Sequence, residues 1–251
     1  MYSVALIGMG LQAIVSIAVG VRLLALARRT RRFPEMALSM QTLLPALGYP
    51  LVMLAVLLER FGPAVMTPLY FLAMCLLMVA ISMNYFFTWR VFRPDRAWAV
   101  ILCGVGSCLL VAPVGAVAAN IEVHGIEGGI QNAHAWTLLL VFAANTAYGW
   151  PALESFLYFR STRRRLRLGL ADAAVCNRFL LWALASATWF SLAALATVLL
   201  TLRVNPMHEA VFNLALGATG LLNSVCMTLC FLPPERYLAW LRRRALASQG
   251  A

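Results

Sequence analysis

The sequence contains no lysine, so all 20 of its basic residues are arginines, and the chain of 251 residues has only nine acidic ones. Mechanisms that need a lysine, such as a retinal Schiff base or a phosphate-binding P-loop, are therefore excluded. Charged residues make up 12% of the chain, against roughly a quarter in soluble proteins. Because 63% of the residues are hydrophobic and the mean hydropathy is +0.83, the composition predicts an integral membrane protein.

Sequence motifs of catalysis are also missing. The chain has no HExxH zinc motif, no nucleophile elbow and no pair of carboxylates within an apolar segment, so we predict neither an enzyme nor a cofactor. The six cysteines all lie inside or beside apolar segments, which argues against a disulfide framework. These residues are Cys75, Cys103, Cys108, Cys176, Cys226 and Cys230.

Seven apolar stretches are long enough to cross a bilayer as helices, which takes about 20 residues each. They cover roughly residues 4–27, 36–58, 64–87, 97–119, 135–158, 177–201 and 209–232. The first stretch has no basic residues ahead of it, so we interpret it as a retained helix and not as a cleaved signal peptide. The sequence therefore predicts an all-α integral membrane protein with seven transmembrane helices in a single domain.

The arginines predict the orientation of these helices. They cluster after spans one, three, five and seven, whereas the opposite loops hold only Arg60 and Arg203. By the positive-inside rule, the N-terminus lies outside and the C-terminus inside. The use of arginine alone is typical of a GC-rich bacterial genome, so we expect the bacterial cytoplasmic membrane as the location. The basic loops then predict contact with anionic inner-leaflet lipids, and nothing indicates a nucleic-acid partner.

Short patterns recur in the two halves of the chain. With an offset of 132 residues, the loop RRTRRFPEMAL at 28–38 matches RSTRRRLRLGL at 160–170. With an offset of 139, Asn84 and Phe92 match Asn223 and Phe231. These matches predict a parallel 3+1+3 repeat with three-helix units at 1–93 and 135–232, joined by a linker helix and outer loop at 94–134. The alternative is that arginine-rich loops match one another by chance.

The end of each three-helix unit carries a proline, an acidic residue and an arginine, in FRPDRAW and again in FLPPERYLAW. Proline and an acid suit the first turn of a helix. The second copy has no further span to begin. In residues 233–251 we therefore predict a short amphipathic helix in the plane of the inner membrane surface, with Tyr237, Trp240 and Leu241 on its apolar face.

A parallel 3+1+3 arrangement resembles the transporter–opsin–receptor superfamily, which includes SWEET sugar transporters and PQ-loop proteins. The chain departs from these families in several ways. It has no Pro-Gln pair in the first span of either half, no lysine in span seven, and no proline in spans one and six. The resemblance implies that Asn84 and Asn223, in the third helix of each half, line a substrate cavity.

Helix-breaking residues in spans two and five also favour a cavity, because broken helices often mark the binding sites of transporters. Aromatic and amide side chains close to these breaks would suit a small neutral ligand. The alternative is that the prolines are packing kinks and the aromatic residues lie at the membrane interface. The predicted cavity residues are Asn84, Asn223, Asn145, Tyr148, Trp150, Tyr49 and Trp182.

Two ionisable residues lie within the spans at equivalent positions, Arg22 and Glu154. Because such residues are costly in a bilayer and usually face the bundle interior, we predict an ion pair between them. Alternatively, Arg22 extends to the headgroups and Glu154 pairs with Arg160 or a neighbour. All three histidines, His124, His134 and His208, lie in outer loops. They form a weak candidate metal site whose spacing matches no zinc signature.

Two main functions agree with these features. The first is a facilitative carrier of a small molecule, with its cavity between the two repeats. The second is a seven-helix receptor or sensor that signals to a separate cytoplasmic protein. A third interpretation is that the protein is a structural subunit of a membrane complex. The internal repeat and the broken helices favour the carrier.

Overall fold

A computed structural model of the chain describes residues 2–247, and nearly all of these residues are helical. Residues 248–251 of the predicted tail lie outside the described residues. Short turns join seven long helices, and an eighth, shorter helix follows them. The helices are α1 (Tyr2–Thr30), α2 (Phe33–Leu57), α3 (Pro63–Phe92), α4 (Ala97–Asn132), α5 (His134–Arg167), α6 (Ala173–Thr201), α7 (Ala210–Phe231) and α8 (Glu235–Ala247).

Six of the seven long helices, all except α5, are long and apolar enough to cross a membrane by length and composition. The chain is therefore an all-helical, polytopic membrane protein. α5 has a lower hydropathy because it contains Asn145, Glu154 and a closing run of arginines. A seventh span, the orientation of the chain and the repeat stay predictions.

Six helices form a closed ring. Each of α1, α2 and α3 packs on the next, α3 packs on α5, α5 on α6, α6 on α7, and α7 returns to α1. Short connections make consecutive helices antiparallel neighbours, which explains most of this order. α4 packs against α3 and α5 and contributes no residue to the space inside the ring. The ring thus has two junctions between predicted halves, α1–α7 and α3–α5.

The α1–α7 junction is a close backbone contact made by glycines. A β-carbon on Gly217 would lie 2.7 Å from the carbonyl oxygen of Val4, and one on Gly220 would lie 2.6 Å from the carbonyl carbon of Gly8. Small residues allow membrane helices to approach this closely. Any larger side chain at these positions would push the two helices apart.

Side-chain hydrogen bonds join α3 to α5. The Tyr85 hydroxyl donates to the carbonyl oxygen of Ala143 over 2.7 Å, and the Asn84 amide donates to that of Ala147 over 2.9 Å. Tyr85 also contacts the Thr146 hydroxyl. In a bilayer such polar groups need partners inside the protein, and here they fix the register of the two helices.

The end of α4 differs from the predicted outer loop at 120–134. Instead of ending near residue 119, the helix continues to a kink at Gly125, whose φ of 74° suits glycine. The Glu59 carboxylate accepts a hydrogen bond from the Ile126 backbone N–H over 3.0 Å, and Gly129 packs on Ile121. The segment that follows the kink therefore folds back as a short helix at the arginine-poor end of the ring.

The predicted amphipathic helix forms as α8. The Asn177 amide at the start of α6 donates to the Tyr237 hydroxyl over 2.7 Å, and the Tyr237 and Trp240 rings stack 5.9 Å apart. The side chains of Arg242 and Arg244 lie outside the described residues. That α8 lies in the plane of the membrane stays a prediction.

Candidate functional site

A cavity lies inside the ring at mid-depth. About 70 Å³ of it is open to the centres of water-sized molecules, which is room for about five waters at ~15 Å³ each. All six ring helices line it, and none of its lining side chains is charged. The polar and aromatic part of the lining consists of Gln12, Ser16, Gln41, Thr42, Tyr49, Tyr148, Trp182, Ser186, Trp189 and Asn223.

At least three polar groups of the wall have no protein partner among the described residues. The Gln41 side-chain oxygen and the Trp182 indole N–H are buried without a hydrogen bond. Asn223 is 6% exposed, and its side chain bonds to no residue within 2–247. Buried polar groups normally find partners, so a bound molecule or water inside the cavity would satisfy these groups.

The side chains of Gln12 and Ser16 in the wall are already paired. The Gln12 amide donates to the Ser16 hydroxyl over 2.9 Å, and the Ser224 hydroxyl donates to the Gln12 oxygen over 3.0 Å. Because the Ser224–Gln12 bond links α7 to α1, it holds one wall of the cavity in place. The unpaired groups lie on α2, α6 and α7, so a ligand would contact both predicted halves.

An aromatic stack lines the cavity towards the arginine-poor side. The Trp189 ring lies between two tyrosines, 6.5 Å from Tyr49 at 9° and 5.8 Å from Tyr148 at 21°. These three residues form what we call the aromatic stack. Tyr49 comes from α2, Trp189 from α6 and Tyr148 from α5, so the stack crosses the ring between the predicted halves.

A hydrophobic cluster packs at the other end of the cavity, towards the arginine-rich loops. Trp182 and Met227 line the cavity and also belong to this cluster, in which Trp182 lies 5.5 Å from Phe87 and 5.9 Å from Phe231 between ring centroids. We call the buried cluster the plug. Its members are Val19, Leu23, Ala37, Leu38, Phe87, Phe92, Trp182 and Met227.

Four of the seven predicted cavity residues meet in this cavity: Tyr49, Tyr148, Trp182 and Asn223. Helical spacing could have indicated others. Trp182, Ser186 and Trp189 recur at i, i+4 and i+7 on one face of α6, and Gln41 lies two turns before Tyr49 on α2. Ser186, Trp189 and Gln41 thus share a helix face with residues that were predicted to line the cavity. This shared face is the sequence pattern that could have indicated them.

Three predicted residues do not line this cavity. Asn84 is used in the α3–α5 junction, Asn145 donates to the Thr197 hydroxyl over 2.7 Å, and the Trp150 indole donates to Glu154 over 3.3 Å. The prediction is wrong for them because protein groups already accept from their N–H groups, on neighbouring helices for Asn84 and Asn145 and on α5 itself for Trp150. The bonds of Asn84 and Asn145 hold helices together instead.

The predicted ion pair between Arg22 and Glu154 is also wrong. Glu154 is 4% exposed, and it accepts a hydrogen bond from Arg93 Nε over 2.7 Å. Arg22 donates to the carbonyl oxygen of Phe231 over 2.9 Å. The ring explains this result, because it places α5 beside α3 and α1 beside α7. The hydrogen bond and the negative charge of Glu154 raise the pKa of Arg93, which follows the last residue of α3.

The outer histidines do not form a metal site. In the described part of the chain, no three histidine, cysteine, aspartate or glutamate side chains lie close enough to hold a metal ion. His208 Nε2 lies 3.2 Å from Glu127 Oε1. Partial burial and then the charge of Arg203 lower the pKa of His134. The weak metal candidate at His124, His134 and His208 is therefore not supported.

The fold and the site together define a polytopic helical membrane protein with an uncharged cavity inside its ring of helices. In comparisons with protein-family models, curated proteins and solved structures, none matches the chain. The resemblance to the transporter–opsin–receptor superfamily thus stays a prediction.

Proposed function

We propose that the protein is a facilitative carrier for a small uncharged solute in a bacterial cytoplasmic membrane. The observation that carries this proposal is an uncharged cavity lined by all six ring helices, with the aromatic stack towards one end and the plug towards the other. Alternating access requires a binding site between two closures, and we propose the aromatic stack and the plug as these closures. In this proposal the N-terminus lies outside and the plug faces the cytoplasm.

Seven spans and a parallel repeat are part of the same proposal. α5 would cross as the seventh span, because its polar residues Asn145 and Glu154 are bonded to protein groups and not left facing lipid. A further feature supports the repeat. By the offsets that align the halves, Arg22 corresponds to Glu154, and Phe231 corresponds to Phe92, beside Arg93. The Arg22–Phe231 bond and the Glu154–Arg93 pair therefore join corresponding positions at the two junctions.

Both closures lie between the two proposed halves, which supports a rocking motion. The plug joins residues of α1, α2 and α3 to Trp182 and Met227 from α6 and α7. The aromatic stack joins Tyr49 of the first half to Tyr148 and Trp189 of the second. Separating the halves at one end would open one closure while the other stays shut.

The lining supports a choice of ligand class. An apolar, uncharged cavity imposes a large desolvation cost on an ion, whereas the Gln41 oxygen, the Trp182 N–H and the Asn223 amide offer both acceptors and donors. The ligand is therefore a neutral molecule that donates and accepts hydrogen bonds, such as a small amide or polyol. The space holds about five non-hydrogen atoms, if each takes about the room of one water.

A cysteine-accessibility experiment tests the proposal without knowing the ligand. In a variant without the six native cysteines, Ser186→Cys places a thiol on the cavity wall. Membrane-impermeant methanethiosulfonate reagents are then applied to right-side-out and inside-out vesicles. Alternating access predicts labelling of this thiol from both sides. Ser191→Cys, an exposed position on the same helix, is the matched control and should stay unlabelled in lipid.

Labelling of Ser186→Cys from one side only would contradict a carrier and favour a receptor with a ligand pocket. No labelling from either side, with Ser191→Cys equally silent, would mean that the cavity never opens. Both results would overturn the proposed transport function. Flux of candidate amides and polyols into proteoliposomes would then identify the solute, provided that labelling occurs from both sides.

A further inference from the structure

A second, larger space lies at the arginine-rich end, among α1, α2, α6 and α7. About 560 Å³ of it is open to the centres of water-sized molecules. Arg22 and Arg29 lie seven residues apart on one face of α1, and Arg178 comes from α6. We call this space the arginine groove. Its other lining residues are Leu23, Ala25, Leu26, Pro34, Glu35, Leu38, Cys230 and Phe231.

The groove holds three arginines against one carboxylate, Glu35. None of them forms an ion pair with a carboxylate in the part of the chain that the structure describes. Arg22 uses one N–H for the Phe231 carbonyl oxygen, so most guanidinium donors in the groove are unused. Like charges that share a partly enclosed space repel one another. A phosphate, which accepts several hydrogen bonds from guanidinium groups, would offset that repulsion.

Glu35 gives a second, independent indication of a ligand. It lies in the first turn of α2, and one of its carboxylate oxygens is buried without a hydrogen-bond partner. No arginine of the groove reaches it as an ion pair. A simple anion would leave this oxygen unpaired and would be repelled by it. A ligand with both a phosphate and an ammonium group would satisfy the arginines and Glu35 together.

The groove is continuous with the lipid-facing side of α1. Ala25 and Leu26 line the groove, and Leu26 is 44% exposed. Val21, one turn away, is 55% exposed. Because α1 is long and apolar enough to cross a membrane, this apolar strip offers a surface for acyl chains directly beside the charged groups.

We propose that the arginine groove binds one phospholipid with a phosphoethanolamine headgroup. The phosphate contacts Arg22, Arg29 and Arg178, the ammonium group contacts Glu35, and the acyl chains follow α1 past Leu26. This binding differs from the general attraction of basic loops to anionic lipid, because that attraction has no use for Glu35. It also does not depend on what the central cavity carries.

Native mass spectrometry tests the site. The intact protein is released from nanodiscs with equal amounts of dioleoyl phosphatidylethanolamine, phosphatidylglycerol and phosphatidylcholine. The expected result is one retained phosphatidylethanolamine, favoured about tenfold over either other lipid, which is the effect of about one charge-assisted hydrogen bond. Glu35→Gln should remove the preference for phosphatidylethanolamine over phosphatidylglycerol. Arg178→Gln should lower the retention of phosphatidylethanolamine and of phosphatidylglycerol. Arg60→Gln, at the opposite end, should change nothing.

A further variant and a soluble competitor complete the experiment. Ala25→Trp fills the groove from an exposed position and keeps every charge, so it should displace the lipid even if Arg178→Gln fails to fold. Water-soluble glycerophosphoethanolamine is added as a competitor, and only weak displacement is expected. Strong displacement would overturn the lipid and point to a free phosphodiester. Equal retention of phosphatidylglycerol by the wild type, or unchanged retention in the Glu35, Arg178 and Ala25 variants, would overturn the site itself.

Discussion

The two junctions of the ring are built in opposite ways. α1 and α7 meet backbone to backbone at Gly8, Gly217 and Gly220. α3 and α5 meet through side chains, including Tyr85 and the Glu154–Arg93 pair. A backbone contact is lost entirely when helices separate, whereas polar side chains exchange one partner for another. We therefore infer that α1–α7 is the fixed junction and that α3–α5 is the one that opens.

Corresponding positions emphasise this difference. By the offsets that align the halves, Gly8 corresponds to Leu140, and Gly217 corresponds to Met78. Leu140 and Met78 are both buried in the core cluster at α3, α4 and α5. The proposed repeat therefore differs between its halves at the positions that set the distance between helices. One junction has no side chain there, and the other has two large ones.

The largest effect is expected from Gly217→Leu. The new side chain would meet the backbone of Val4, so the α1–α7 contact must separate, at a cost of about 3 kcal/mol or more. Fluorescence-detected size exclusion after heating should show a much lower melting temperature or no folded protein. Gly10→Leu is the matched control, because a β-carbon on Gly10 meets nothing within 4 Å. Equal melting of the two variants would contradict the glycine contact.

A smaller loss of stability is expected from Glu154→Gln. The change removes the negative charge beside Arg93, and losing one partner of a charged hydrogen bond costs about 1–3 kcal/mol. Arg22→Met should cost less, because Arg22 is exposed and donates only to a backbone carbonyl. A double-mutant cycle of Glu154→Gln with Arg93→Gln should show coupling. Additive effects in that cycle would mean that the pair contributes nothing to the α3–α5 junction.

The smallest effect is expected from Tyr85→Phe. It removes the hydroxyl that donates to Ala143 and keeps the ring, so the free energy of unfolding should fall by about 1 kcal/mol. Tyr70→Phe, on the same helix, is the control, since the Tyr70 hydroxyl bonds to no described residue. Thermal melting of the two variants measures the difference. A larger loss of stability for Tyr70→Phe than for Tyr85→Phe would contradict a role of the Tyr85 hydroxyl in the α3–α5 junction.

The sequence predicted the helices well for a physical reason. Backbone polar groups in lipid must be satisfied within the segment, so apolar runs of sufficient length indicate helices directly. A different signal predicted α8: a proline and an acid begin an amphipathic segment there. The sequence did not indicate that α4 continues past residue 119, because the kink at Gly125 depends on a distant contact from Glu59.

Side-chain partners were harder to predict. The resemblance and the helix breaks were enough to find Asn223, Tyr49, Tyr148 and Trp182 for the cavity. Periodicity indicates only which face of a helix is inward. It does not indicate whether an inward amide meets open space or a neighbouring group. For this reason the prediction that Asn84 and Asn145 line the cavity was wrong. The Arg22–Glu154 pair failed for a related reason, since equivalent positions need not be neighbouring positions.

Distance measurements by pulsed electron paramagnetic resonance would test the central claim, that the halves rock about a fixed α1–α7 junction. One pair of spin labels replaces the exposed residues Arg32 and Leu170 at the arginine-rich end, and another replaces Arg60 and Leu202 at the opposite end. In proteoliposomes, the account predicts two distance populations for each pair. A condition that lengthens one pair should shorten the other. A single narrow distance at both ends under every condition would contradict it.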